Sequence, residues 1–362
     1  MRAIIHIGCV KTGSSSVQGF LQDNRALLGE QGVLYPQTPL QPPLAWAPRT
    51  HHIALARHLA LGRPQGDFLN PLRRELAAAG CRAFILSEEL FSELMRTPAQ
   101  LQRLHDFLQA LGCDEVRVVV WLRECGAMFA SLCSQQLKNG RPEWFHLMPP
   151  AALPHFRFLM DYRALLTRWA GIFGREALEV RLFERECWPQ GELLRDAAAA
   201  FGLRWDERFV LPPHLNESFN LLEMEVLRVV NHLLPGSERE ETQPTAPLRD
   251  LMRRHVSVLD DPALRFAPPA AVTRAWREWA AEGNEWVRAQ FFPARPALFA
   301  ARGGQTGNPA LPALPAEGWE ALGRVLAQLS EENRSLRRQL QRRAAARGEP
   351  PRAAGISDPP AR

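Results

Sequence analysis

Lysine is nearly missing from this chain. Among 362 residues it stands only at Lys11 and Lys138, and every other basic side chain is Arg or His. A chain this biased leaves Lys where a compact ammonium is preferred to the rigid guanidinium fork. Cysteine is sparse and scattered: Cys9, Cys81, Cys113, Cys125, Cys133 and Cys187 include no C-x-x-C pair. That spacing argues against a zinc knuckle or a disulfide framework and for reduced thiols in a cytoplasmic setting. No metal site is expected. No apolar run approaches the roughly 20 residues of a membrane span, and no leader-like segment precedes the first strand. No stretch interleaves basic and aromatic residues as a single-strand nucleic-acid binder does. What remains is a chain 46% hydrophobic, able to bury a substantial core, with a formal charge of +5 and a pI near 9.1 that suit an anionic ligand. Heavy Ala, Arg, Leu and Pro usage fits a GC-rich bacterial source.

The organising stretch is Met1–Leu21, MRAIIHIGCVKTGSSSVQGFL. It reads as a strand (Ala3 to Ile7), a loop with Gly8 and Gly13, and a helix start. Such a loop turns backbone N–H groups inward, and the helix terminus adds partial positive charge. G-x-x-x-x-G is present, but Ser14-Ser15 stands where a Walker A motif carries Lys-Ser/Thr. The Lys lies instead two residues before the second Gly. A plain Gly/Ser turn would look much the same.

Downstream, β and α patterns alternate with short links. Helical periodicity covers Ser16 to Leu28, and Gly32 to Pro36 is a strand. A proline-rich loop runs from Gln37 to Arg49, and HHIALARHLALG from His51 opens a helix. Helices follow over Asp67 to Gly80 and Pro98 to Leu111, with a strand at Cys81 to Ser87 between them. Glu115 to Leu122 is the most apolar strand, ending at Arg123, and Ala127 to Lys138 is the helix after it. Helices are expected at Asp161 to Ile172, Glu192 to Phe201, Leu221 to Leu234 and Val272 to Phe291, with a strand at Leu178 to Phe183. The pattern predicts a parallel α/β sheet of P-loop-like type flanked by helices. Ligands of such sheets sit at the carboxyl ends of the strands, here Gly8–Ser16, Ser87–Glu89 and Arg123. The α/β domain is expected over 1–300, with a linker over 301–316, a coiled-coil-like helix over 317–346 and a disordered tail over 347–362. In that helix Leu322, Leu326, Leu329, Asn333, Leu336 and Leu340 alternate at four and three residues, with Asn333 at an a position. A parallel homodimer and a single helix docked on its own chain both fit this seam.

The order Lys11-Thr12-Gly13-Ser14-Ser15-Ser16 resembles the 5′-phosphosulfate loop of PAPS-dependent sulfotransferases. A second feature, Arg123 at a strand end with Ser131 eight residues on, is similar to the 3′-phosphate site of that family. Together with FILSEELFS, LEVRLFERE and Asn216-Glu217-Ser218, the match over residues 1–235 looks like a bacterial carbohydrate-type sulfotransferase. The resemblance implies PAPS as co-substrate and a hydroxyl acceptor, a glycan by analogy. Thr12, Gly13, Ser14, Ser15 and Ser16 would cradle the 5′-phosphate, Lys11 would neutralise the bridging oxygen, and Arg123 with Ser131 would hold the 3′-phosphate. The base is expected near the strand before Arg123. Glu88 comes first, ahead of Glu89, His51 and His52. Lys138 either reaches the ligand or ends its helix in solvent. A P-loop kinase or NTPase with a degenerate loop is the competing enzyme reading, opposed by the Lys order and by the want of a Walker B Asp. A non-enzymatic dimer module is the third.

Overall fold

The computed structural model describes residues 1–38, 52–63, 66–212, 220–233, 266–300 and 316–346. Five strands form one sheet: β1 (Arg2–His6), β2 (Val33–Leu34), β3 (Ala83–Ser87), β4 (Glu115–Leu122) and β5 (Leu178–Leu182). Their order is β2-β3-β1-β4-β5 and every pairing is parallel. This is the α/β class read from the sequence. Parallel strands are covered on both faces, which is why β4 runs Val118–Leu122 without a polar residue, all fully buried.

The first ten helices in chain order are α1 (Ser14–Asp23), α2 (Arg25–Glu30), α3 (Ile53–Ala60), α4 (Gly66–Ala79), α5 (Leu90–Leu94), α6 (Pro98–Ala110), α7 (Cys125–Lys138), α8 (Pro154–Met160), α9 (Tyr162–Phe173) and α10 (Leu193–Ala200). Beyond them lie α11 (Leu221–Leu233), α12 (Ala270–Phe291) and α13 (Ala316–Ala346). One face of the sheet is packed by Val17, Phe20, Leu21 and Leu28 from the first two helices and by Ala197, Ala198 and Phe201 from α10, against Ile4, Val119 and Trp121. The Trp121 indole N–H donates to Asp196 Oδ2 (2.8 Å), so the largest core side chain there has its polar atom satisfied.

Several boundaries differ from expectation for identifiable reasons. The first helix begins at Ser14, with Gly13 as its left-handed N-cap, and not at Ser16. It does not run on to Leu28. Asn24 breaks it by donating to the Phe20 and Val210 carbonyls (2.8 Å each) and accepting from Val210 N–H (2.7 Å). Asn competes with helical backbone in this way. The strand expected over Gly32 to Pro36 shortens to two edge residues. Helix α7 starts two residues early at Cys125, so Ser131 lies almost two turns inside it and not one. The short α5 and α8 carried no periodic signal long enough to be anticipated.

The described chain groups into two units. One holds the sheet, with Met1–Cys133, Trp144–Ser218 and Ala267–Gly307; the other holds Ser134–Glu143, Phe219–Phe266 and Asn308–Arg362. In the second unit α13 lies close on α11, a Cβ at Gly323 falling 2.2 Å from Val229 Cγ1. Asn231 donates to the Leu137 carbonyl there (2.8 Å). His51, most of the 37–49 loop, Asn216-Glu217-Ser218, the 236–250 stretch, nearly all of the 301–316 linker and the 347–362 tail lie outside the described residues. No described helix is long and apolar enough to cross a membrane.

His6 at the end of β1 is fully enclosed, edge-on to Trp121 at 5.2 Å, with Nδ1 2.7 Å from Ser87 Oγ. Burial lowers its pKa from 6.5 to about 3. The unfolded chain therefore binds an extra proton between these values, and His6 withdraws stability as pH falls from about 6.5 to 3. His6→Asn, which keeps a polar atom toward Ser87, is expected to flatten the thermal-melting midpoint against pH across that window. A slope unchanged from wild type refutes the assignment.

Candidate active site

The site forms where β1 ends between β3 and β4. His6 is in register with Ser87 on one side and Val119 on the other, so the three strand ends are level. Ile7 N–H donates to the Val119 carbonyl (3.1 Å) and Glu88 N–H to the His6 carbonyl (3.0 Å), which ties all three together as the strands finish. From here the chain leaves β1 toward β2 at one edge and leaves β4 toward β5 at the other. That reversal is where open α/β sheets leave a crevice.

The loop from Gly8 to Gly13 turns on three left-handed residues: Gly8 (φ 37°), Lys11 (φ 65°) and Gly13 (φ 76°). Gly bears this freely. For Lys it costs on the order of 1–3 kcal/mol, and such outliers gather at functional sites. Thr12 Oγ1 donates to the Cys9 carbonyl (2.6 Å), and Ser92 Oγ donates to the Gly8 carbonyl (2.9 Å). The first bond fixes the loop from within, and the second ties it to α5. Gly13 cannot be replaced lightly, since a Cβ there would fall 2.4 Å from Leu193 Cδ2.

Behind the loop, α1 begins with no side-chain cap and no acidic residue in its first turn. Its leading N–H groups and positive dipole end face the loop without an internal anion. Ser14 is 2% exposed, and its Oγ has no hydrogen-bond partner among the described residues. It stands 2.9 Å from where a Gly8 Cβ would be, inside the turn. Ser15 is exposed and Ser16 half-buried. The five expected cradle residues thus divide. Ser14 turns its hydroxyl inward, whereas Thr12 spends its own on the loop.

Two cations and one acid meet at Lys11. Arg123 Nη1 donates to the Lys11 carbonyl (2.7 Å), and its guanidinium lies over the Phe183 ring at 5.3 Å. Burial lowers the Lys11 pKa, Glu89 opposes that, and Arg123 lowers it further. Arg123 is held by its own backbone: Tyr162 Oη donates to its carbonyl (2.7 Å) and accepts from its N–H (3.2 Å). Next to it, Glu124 accepts from Gly126 and Ala127 N–H (2.9 Å each) and from Arg277 Nε (2.9 Å). Burial pushes its carboxyl up, but the Arg277 pair and the two N–H groups outweigh this and hold it below its ordinary value. Ser131 is buried, in the part of α7 that belongs to the sheet unit.

The base candidates occupy different surroundings. Glu89 is half-buried at the head of α5, its Cγ 3.2 Å from where a Gly8 Cβ would be, and its charge acts on both Lys11 and Cys9. Glu88 is 3% exposed, accepts from Leu90 N–H (3.1 Å) and raises the Tyr35 pKa along with burial. His52 accepts from Ser87 N–H on Nδ1 (2.9 Å), which leaves the proton on Nε2 to donate to the Pro36 carbonyl (3.1 Å). Both of its ring nitrogens meet backbone groups, an arrangement that braces the end of β3. Of the two carboxylates, Glu88 is the more enclosed and Glu89 the more open to solvent. Lys138 falls in the second unit.

Tyr162, Arg277 and Phe183 were missed as site residues. Nothing in a Trp-rich helix or at a helix start marks a side chain that acts on a strand end far away in sequence. Of the three, Phe183 alone lay within a stretch, LEVRLFERE, already noted.

No family model matches the chain. A protein of Archaeoglobus fulgidus, named only as uncharacterized, is 28% identical over 178 residues, which cover 48% of this chain and 45% of that protein. The chain thus spans less than half the length of this relative. The crystal structure of a sulfotransferase from Alicyclobacillus acidocaldarius aligns over 70% of this chain and 96% of its own, at a TM-score of 0.36 and 18% identity.

Tyr162→Phe removes the two hydrogen bonds that hold the Arg123 backbone. It is expected to cost roughly 1–3 kcal/mol, the usual loss for stranded buried polar groups, measured by urea denaturation. An unchanged midpoint would mean that Arg123 is fixed by other contacts.

Proposed function

We propose that the chain is a sulfotransferase that moves a sulfuryl group from PAPS to a hydroxyl acceptor, a glycan being the acceptor class that the sequence resemblance favours. The observation that carries this reading is the uncapped N-terminus of α1 behind a loop whose Lys11 carbonyl is bound by Arg123. One anion pocket would serve a nucleoside triphosphate. A guanidinium brought to the Lys11 loop from the end of β4 adds a second cation and suits a ligand with two separate phosphate positions. Ser14 Oγ and the leading N–H groups of α1 would take the 5′-phosphate. Arg123, joined by Ser131, would take the 3′-phosphate.

In the transfer, the S–O bond to the 5′-phosphate breaks as the acceptor oxygen bonds to sulfur, and the acceptor proton goes to a carboxylate. Adenosine 3′,5′-bisphosphate leaves. Charge grows on the phosphate oxygen that was the bridge, and the Lys11 ammonium is the group to meet it. Glu89 is assigned the proton, since it shares the loop's mouth with Lys11 and is half-exposed. Most of the rate would come from positioning and preorganised charge, as in phosphoryl transfer.

The kinase reading has one observation in its favour. β3 is the direct neighbour of β1, so Glu88 and Glu89 stand beside the loop, where acids could hold a metal. Calorimetric titration with adenosine 3′,5′-bisphosphate against ATP with Mg²⁺ separates the two. Tighter binding of the bisphosphate is expected, and a preference for ATP with Mg²⁺ sinks the sulfotransferase reading.

Two variants test the roles. A lowered Lys11 pKa means the folded, ligand-free protein bears a cost for the charged amine that is full below the folded pKa and fades as pH rises from there to the unfolded value. Lys11→Met is therefore expected to leave the melting temperature unchanged or higher while cutting transfer about 10²–10³-fold, followed with labelled PAPS on extracts of the source cell. Glu89→Gln should lower transfer with bisphosphate affinity retained, whereas Glu88→Gln should act on stability first. Full turnover in Glu89→Gln would return the role to Glu88.

A further inference from the structure

Helix α13 carries apolar or small residues on two faces, and its own unit covers one. At about 100° per residue, Gly323, Ala327 and Ser330 fall on a single stripe. Gly323 meets Val229 of α11, and Ala327 and Ser330 are buried. Leu329, Asn333, Leu336 and Leu340 lie roughly a third of a turn away around the axis. They form a separate seam at spacings of four, three and four. Leu329, Leu336 and Leu340 are 56%, 58% and 63% exposed. Such residues scattered singly would mean little, but here they repeat on one line of one helix.

We propose that this seam, from Leu326 to Leu340, binds a second copy of the same chain as a parallel, in-register coiled coil. Three features choose that occupant. The a/d spacing places Leu329 and Leu336 at d and Leu326, Asn333 and Leu340 at a. A polar a residue is satisfied by its own twin in a parallel pair in register, and is left facing Leu in other registers. The flanks agree in charge. Glu332 is at g and Arg337 at the following e, the g-to-e′ relation that parallel strands bring together, so the pair would form twice across the axis. Both side chains already lie on the seam's border: Glu332 accepts from Gln328 Nε2 (2.8 Å) and Arg337 Nε donates to Asn333 Oδ1 (3.1 Å). Relative to the sequence reading, the seam shortens. The α11-facing stripe anchors the first half of the helix, and the dimer takes the exposed second half. The docked helix and the coiled coil are thus compatible roles of different faces.

Sedimentation velocity and light scattering on the full chain, from low to high micromolar, test this. The expected mass is twice 40.8 kDa. Leu336→Arg is expected to give a monomer with helical signal retained, since that side chain is exposed. Glu332→Arg alone sets Arg against Arg337 of the second copy and should weaken dimerisation roughly tenfold. Adding Arg337→Glu should restore it. A monomer at every concentration overturns the proposal. So does a dimer indifferent to Leu336→Arg, which would use another surface, or one indifferent to Glu332→Arg, which would not be parallel.

Discussion

β1 is hydrogen-bonded along both edges, and the site follows from that constraint. A central strand cannot shift its register without breaking pairs with β3 and β4 together. Its end at His6 is therefore fixed against Ser87 and Val119. The loop inherits that fixed origin. Ser92 and Thr12 then hold its first carbonyls, and Arg123 holds the carbonyl of Lys11. The fold's own hydrogen bonds thus set the loop's geometry.

The charges at the loop act on one another. Lys11 and Arg123 sit close enough for each to disfavour the other, and Glu89 offsets part of this. The helix end behind them adds positive potential and carries no acid in its first turn. An anion entering such a place relieves several unfavourable terms at once. The same reasoning explains why Glu124 is tied to Arg277. A carboxylate next to Arg123 with no partner of its own would compete for the guanidinium, and the α12 side chain keeps it occupied.

The fold class was legible because its signals are local. Apolar runs between short links mark parallel strands, and the motif Gly8–Ser16 marks the first turn. Strand ends at Ser87 and Arg123 were legible for the same reason. What the sequence did not reveal lies in how a side chain is aimed. Glu88 and Glu89 are adjacent in the chain and equal in type, yet the charge of one acts on Tyr35 and that of the other on Lys11. Thr12 Oγ1 donates to the Cys9 carbonyl and both His52 ring nitrogens meet backbone, contacts that no local pattern reports. The break at Asn24 depends on Val210, a residue far along the chain, and no helical periodicity reports it.

The scarcity of lysine has a practical side. An amine reacts with acylating reagents as its neutral form, so a lowered pKa makes Lys11 the readier nucleophile at a given pH. The chain has one other side-chain amine, Lys138, and that lies in the second unit. Reagents that stain most proteins at many lysines would here meet two, and the label on Lys11, told apart from that on Lys138 by peptide mapping, would track how much of the loop is filled.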